Sequence, residues 1–117
     1  KSIVARLQAN GSNAIGFTGA DGNLIKAHKR IHPTIDYGFV GDIDAVNEDA
    51  ITHLLHQFDI LVMAPITHDG QGLLLNTNAD TIAQTIATSL AKNVDIKLIY
   101  SFEKEGVLLD INKEDSV

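Results

Sequence analysis

The run Ile60-Leu61-Val62-Met63-Ala64, closed by Pro65, constrains the fold of this chain more than any other stretch. Five consecutive apolar residues do not alternate, as in a parallel strand covered on both faces. Proline cannot donate to a ladder and ends the strand. Amphipathic runs lie on either side. Before it, Ile51, Leu54, Leu55 and Phe58 recur on one helical face, with Asn47 placed as N-cap and Val46 placed to staple onto Ile51. After it, Ile82, Ala83, Ile86, Ala87, Leu90 and Ala91 recur on another. Helices alternating with buried strands predict an α/β chain: a three-layer sandwich around a mainly parallel sheet, with β-hairpins at one end.

The remaining segments fill that frame. Ile3, Val4 and Leu7 form a short amphipathic run stopped by Asn10-Gly11, as at the end of a helix. Ala14-Ile15-Gly16-Phe17 predicts a strand, and the Asp21-Gly22 pair predicts a hairpin returning through residues 24–29, whose basic side chains face outward. Residues 31–36, holding Pro33, form a loop. Residues 37–45 predict another strand, in which Gly38 and Gly41 mark bends or close backbone approach. Asp69-Gly70-Gln71-Gly72 turns the chain into a short strand at 73–75. Residues 96–100 and 107–109 predict two more strands, and 113–117 a polar tail.

With 117 residues, one domain or part of one is expected. Because Lys1 opens in mid-pattern, the chain is expected to be a piece of something longer. The net charge of −6 and the scattering of nine Lys and Arg argue against a nucleic-acid surface, which needs a basic patch. No apolar run approaches the length of a membrane span. The chain has no cysteine, which excludes disulfides and thiolate metal sites and fits a cytoplasmic location.

Among the five histidines, His53 and His56 lie three apart on the expected helix and His28 and His32 four apart, but neither pair has a third ligand at motif spacing. His53 and His56 flank Leu54-Leu55 and mark the solvent side, so no metal site is expected. No serine lies in a nucleophile elbow, and Gly16 to Gly22 matches no phosphate-binding loop. The junction Asn76-Thr77-Asn78-Ala79-Asp80, between a strand-like and a helix-like run, supports two readings. Asn78 or Thr77 caps the helix, with Thr77 and Asp80 at capping-box spacing and Asp80 complementing the helix dipole. Alternatively, the polar groups form a ligand site where α/β folds place them, at the carboxyl end of a strand. Capping leaves Asn76 without a role. Ser101 to Gly106 follows a buried strand, where such folds often bind nucleotide.

Together these residues resemble the acetylglutamate kinase branch of the amino acid kinase family. The resemblance is carried by Asn13-Ala14-Ile15-Gly16-Phe17-Thr18-Gly19, Asp21-Gly22, Gly38-Phe39-Val40-Gly41-Asp42-Ile43, Ala64-Pro65-Ile66, Asp69-Gly70-Gln71 and the N-x-N-A-D element at 76–80. It covers nearly the whole chain in order. It implies ATP-dependent phosphorylation, with Mg²⁺, of the γ-carboxylate of N-acetylglutamate or another N-acylglutamate such as N-succinylglutamate, in arginine biosynthesis. Asn76 would contact the acylglutamate, and Asp80 would orient two lysines that clamp the transferring phosphoryl group. Ser101 and Gly106 would lie on the nucleotide. Residues 1–80 would belong to the acylglutamate lobe and 81–117 to the start of the nucleotide lobe of one domain, in a cytoplasmic homo-oligomer.

The family's N-terminal Lys-x-Gly-Gly segment, its second glycine-rich loop and its late lysine-bearing segment have no counterpart in these residues. Phe102 stands where the family carries an aspartate, which bears on the nucleotide contacts. The 117 residues alone are therefore expected to be inactive. The alternative from a different class is a non-catalytic amino-acid-binding or regulatory domain of the same fold.

Overall fold

The computed structural model describes residues 1–101. Helix α1 (Ser2–Ala9) leads into β1 (Ala14–Phe17), and a short 3-10 turn (Asp21–Asn23) precedes β2 (Ile25–Lys29). Then follow β3 (Gly41–Val46), α2 (Glu48–Gln57), β4 (Ile60–Met63), β5 (Ile66–His68), β6 (Leu74–Asn76) and α3 (Ala79–Leu90). The architecture is α/β. β1 pairs with β4 in a parallel two-stranded sheet, and the other strands form a mixed sheet in the order β3-β2-β5-β6.

The apolar run before Pro65 supplies β4, in register with β1 from Ala14↔Ile60 to Phe17↔Met63. The N–H groups of Asp59 and Ile60 both reach the Asn13 carbonyl, and the Asp59 carboxylate accepts the Asn13 N–H at 2.8 Å, which fixes the start of the register. Asn47 caps α2, its side chain accepting the Ala50 N–H, and Val46 packs on the core cluster that contains Ile51. That core joins Leu24, Ile25, Ile51, Ile82 and Leu90, with Phe17, Ile43, Leu61 and Met63 against it. It spans both sheets, α2 and α3, and so holds the parallel pair to the mixed sheet by apolar burial.

The mixed sheet curls. Val40, just before β3, forms a parallel bridge with Asn76 at the end of β6, so the two outer strands meet at one end. Gly41 makes this possible: a Cβ there would lie 2.8 Å from Leu75 Cβ and 2.8 Å from Thr67 Oγ1. Close backbone approach, one of two roles expected of this glycine, is the one observed.

Three expectations are corrected. The Asp21-Gly22 turn does not make a hairpin, because β1 and β2 lie in different sheets. Gly22 and Asn23 adopt left-handed φ angles of 61° and 52°, and the turn carries the chain from one sheet to the other. The β3 strand begins at Gly41, not at residue 37, since 37–40 contribute a single bridge to β6. Residues 96–100 form neither helix nor strand and are exposed, since no described strand lies alongside to complete their ladder. The strand expected at 107–109 lies outside the described residues.

Candidate functional site

Strand alternation builds the centre of the site. Along Leu74 to Asn78 exposure runs out, in, out, in, out: Leu75 and Thr77 are buried, while Asn76 and Asn78 face outward. The N-x-N spacing therefore places two carboxamides on one side of an extended segment and turns the intervening residue into the protein. Asn78 then starts α3. Its Oδ1 accepts the N–H groups of Asp80 at 2.8 Å and Thr81 at 3.3 Å, satisfying two donors of the first turn.

The capping reading is thus realised by Asn78, and the Thr77–Asp80 capping box is not formed. The Thr77 hydroxyl is turned inward instead, donating to the Gly41 carbonyl at 2.9 Å and lying 3.0 Å from Thr67 Oγ1. Asp80 is left exposed at the positive end of α3. Among the described residues its carboxylate meets no lysine or arginine.

Three backbone bonds set this junction at the carboxyl ends of the parallel strands. Ala64 N–H donates to the Phe17 carbonyl at 2.8 Å, Gly19 N–H to Ile66 at 2.7 Å, and Thr77 N–H to Pro65 at 3.1 Å. Pro65 also lines a cleft of about 420 Å³ walled by Lys1, Val4, Phe17, Thr18, Asp21 and Met63. The Asn76–Asp80 segment is joined to that cleft through Pro65, although none of its five residues lines it.

Sequence reasoning passed over two residues of that wall, Thr18 and Asp21. The Asp21 carboxylate accepts the Thr18 N–H at 2.7 Å and its hydroxyl at 3.2 Å. These bonds, the backbone one foremost, hold the Asp21 carboxyl below the usual carboxylate range in the wall of the cleft. A Thr-x-x-Asp spacing beside a glycine was the available signal. Thr67 and its pairing with Thr77 had none, because they are brought together from different strands.

Asn76 lies at the end of β6 with its N–H on the Phe39 carbonyl at 2.7 Å. Ser101 is exposed at the end of the described residues, outside any element, and Gly106 lies beyond them. His53 and His56 are exposed on α2, with His53 Nδ1 donating to the Asp49 carbonyl at 2.8 Å. Among the described residues no group of three His, Asp or Glu converges as a metal site, and no helix is long and apolar enough to cross a membrane.

The geometry defines an α/β protein with a polar strand-to-helix junction near a cleft, and comparison with known proteins identifies its family. The model of the amino acid kinase family matches residues 1–115, and the chain belongs to that family. It is similar to acetylglutamate kinase from Parabacteroides distasonis, 56% identical over all of this chain and 46% of the relative's length. The acetylglutamate kinase of Carboxydothermus hydrogenoformans is 36% identical over the whole chain and 42% of its own length. The chain thus spans about half the length of the curated relatives it matches. A crystal structure, smu.665 from Streptococcus mutans, matches with a TM-score of 0.65 and 28% identity, over 74% of this chain and 35% of that one.

Proposed function

We propose that these residues belong to an acylglutamate kinase. In the reaction a γ-carboxylate oxygen of N-acetylglutamate, or of another N-acylglutamate such as N-succinylglutamate, attacks the γ-phosphorus of ATP. The new P–O bond replaces the bond to the departing ADP, giving an acyl phosphate for arginine biosynthesis. Asn76 binds the acylglutamate, and Asp80 organises cationic side chains that stabilise the transferring phosphoryl group. Such transfer depends on positioning and charge stabilisation more than on covalent chemistry by the protein.

The observation that carries this reading is the placement of Asn76 and Asp80. Both are exposed on the junction tied through Pro65 to the carboxyl ends of β1 and β4, in a chain 56% identical to a protein named acetylglutamate kinase. Residues 1–80 form the acylglutamate lobe and 81–117 begin the nucleotide lobe, with Ser101 and Gly106 on the nucleotide side. The described residues hold no metal-ligand cluster of their own, and Mg²⁺ belongs with the ATP phosphates. The complete enzyme works as a cytoplasmic homo-oligomer.

The test is ADP release by the complete protein with ATP and either acetyl- or succinyl-glutamate. Asp80→Asn is expected to cut kcat by about 10²-fold or more, the scale of a lost transition-state stabiliser, with the thermal midpoint unchanged. An Asp80→Asn enzyme at wild-type turnover overturns the role of Asp80. Wild-type protein that turns over neither acylglutamate overturns the reading as a whole.

A further inference from the structure

The residue between the two asparagines carries a task of its own. Thr77 is buried, yet it makes three polar contacts to three separate parts of the fold. Its N–H donates to the Pro65 carbonyl after β4, at 3.1 Å. Its hydroxyl donates to the Gly41 carbonyl at the start of β3, at 2.9 Å, and lies 3.0 Å from the hydroxyl of Thr67 in β5. With the Thr77 proton committed to Gly41, the Thr67 hydroxyl is the donor in that last contact, and it also lies 3.4 Å from the Leu75 carbonyl. Thr67 is fully buried, and among the described residues no buried side-chain polar atom lacks a partner.

We infer that Thr77 is the positioning residue of the phosphoryl-transfer site, acting through Asn76 and not by touching substrate. Its neighbours make no such side-chain ties across the fold among the described residues. Asn76 is exposed, its main chain held opposite Ile66, bridged to Val40 and bonded through its N–H to Phe39, while the Asn78 side chain bonds to the helix it caps. Thr77 lies between them, and period-two alternation converts any rotation at Thr77 into displacement of the Asn76 carboxamide. Gly41 completes the arrangement, since any side chain there would occupy the space into which Thr67 and Leu75 pack. A methyl in place of the Thr77 hydroxyl keeps the shape and removes the ties to Gly41 and Thr67, leaving Thr67 with only its long contact to Leu75. This inference rests on the acylglutamate reading for its kinetic arm and stands apart from it in its structural arm.

Two variants of the complete enzyme test it. Thr77→Val is expected to raise the KM for acylglutamate about tenfold, on the scale by which small misplacements cost rate, while the KM for ATP stays put. Thr77→Ser, which restores the hydroxyl, is expected to recover most of the loss. Thr77→Val with an unchanged acylglutamate KM overturns the inference. So does an equal change in both KM values, or a Thr77→Ser enzyme as impaired as Thr77→Val. Amide hydrogen exchange is read on the same proteins. Faster exchange across residues 76–81 in Thr77→Val, reversed in Thr77→Ser, is expected whatever the acceptor, and unchanged exchange overturns the inference. Absence of wild-type turnover with acylglutamates would instead count against the functional reading, and the exchange result would still decide the role of Thr77.

Discussion

Thr77 and Asn78 are adjacent polar residues of similar capping preference, and the fold sends them in opposite directions. Both were legible as possible caps, because capping is a local property of spacing. The choice was not, since it turns on a Gly41 carbonyl 36 residues away in sequence. Asn76 and Asp80 were given site roles by the family resemblance, whereas Asp21 was read as turn chemistry and as part of that resemblance, with no role of its own. Its neighbour in kind is Asp69, whose carboxylate accepts the N–H groups of Gln71 at 2.8 Å and Leu73 at 3.1 Å. The Gln71 bond first, then the Leu73 bond, lower the Asp69 pKa below its ordinary 3.8. A carboxylate depressed in the folded state stabilises the protein above its unfolded pKa, and that contribution disappears as pH falls through the folded value. Stability is therefore expected to fall on acidification below about pH 4. Asp69→Asn should flatten this acid limb of urea midpoints measured against pH, and an unchanged limb would show that Asp69 has no part in it.

At the scale of elements, the sequence was most informative where a strand or helix is defined by its own residues. The strand β4, the N-caps and the core-facing Ile51, Leu54, Ile82, Ile86 and Leu90 of α2 and α3 appear where local pattern placed them, whereas Leu55 and Ala91 of the expected faces are exposed and β4 is half-buried instead of covered on both faces. Partnership was less legible. Asp21-Gly22 announced a turn and could not say that β1 would leave for β4 while β2 joined β3. Pairing depends on contacts remote in sequence, which turn residues do not encode. The closure between the start of β3 and the end of β6 is of the same kind, and Gly41 is its weak point. Gly41→Ala forces a Cβ to within 2.8 Å of Leu75 Cβ, and is expected to cost about 1–3 kcal/mol as overpacking does. Urea denaturation at neutral pH measures it; a variant as stable as wild type would mean that β3 and β6 separate without cost.

At the scale of the whole molecule, what counts is the apolar surface left uncovered among the described residues. Val94, Ile96, Leu98 and Ile99 lie exposed in succession beyond α3. An apolar run of this kind on the surface is a site of association. The 117-residue chain on its own is expected to show a mass above 12.6 kDa that rises with concentration in light scattering, and a strict monomer at every concentration would refute this. The pairing of β1 with β4 has a consequence of another sort, in time. Ala14 is matched with Ile60, 46 residues later. At the usual pace of about 5–20 residues per second, a ribosome takes about 2–9 s to make that interval. Until then, among the described strands, β1 has no partner in its own sheet, while β2 and β3 are already made. The β2–β3 pair can form early in synthesis, and the pairing of β1 with β4 comes later.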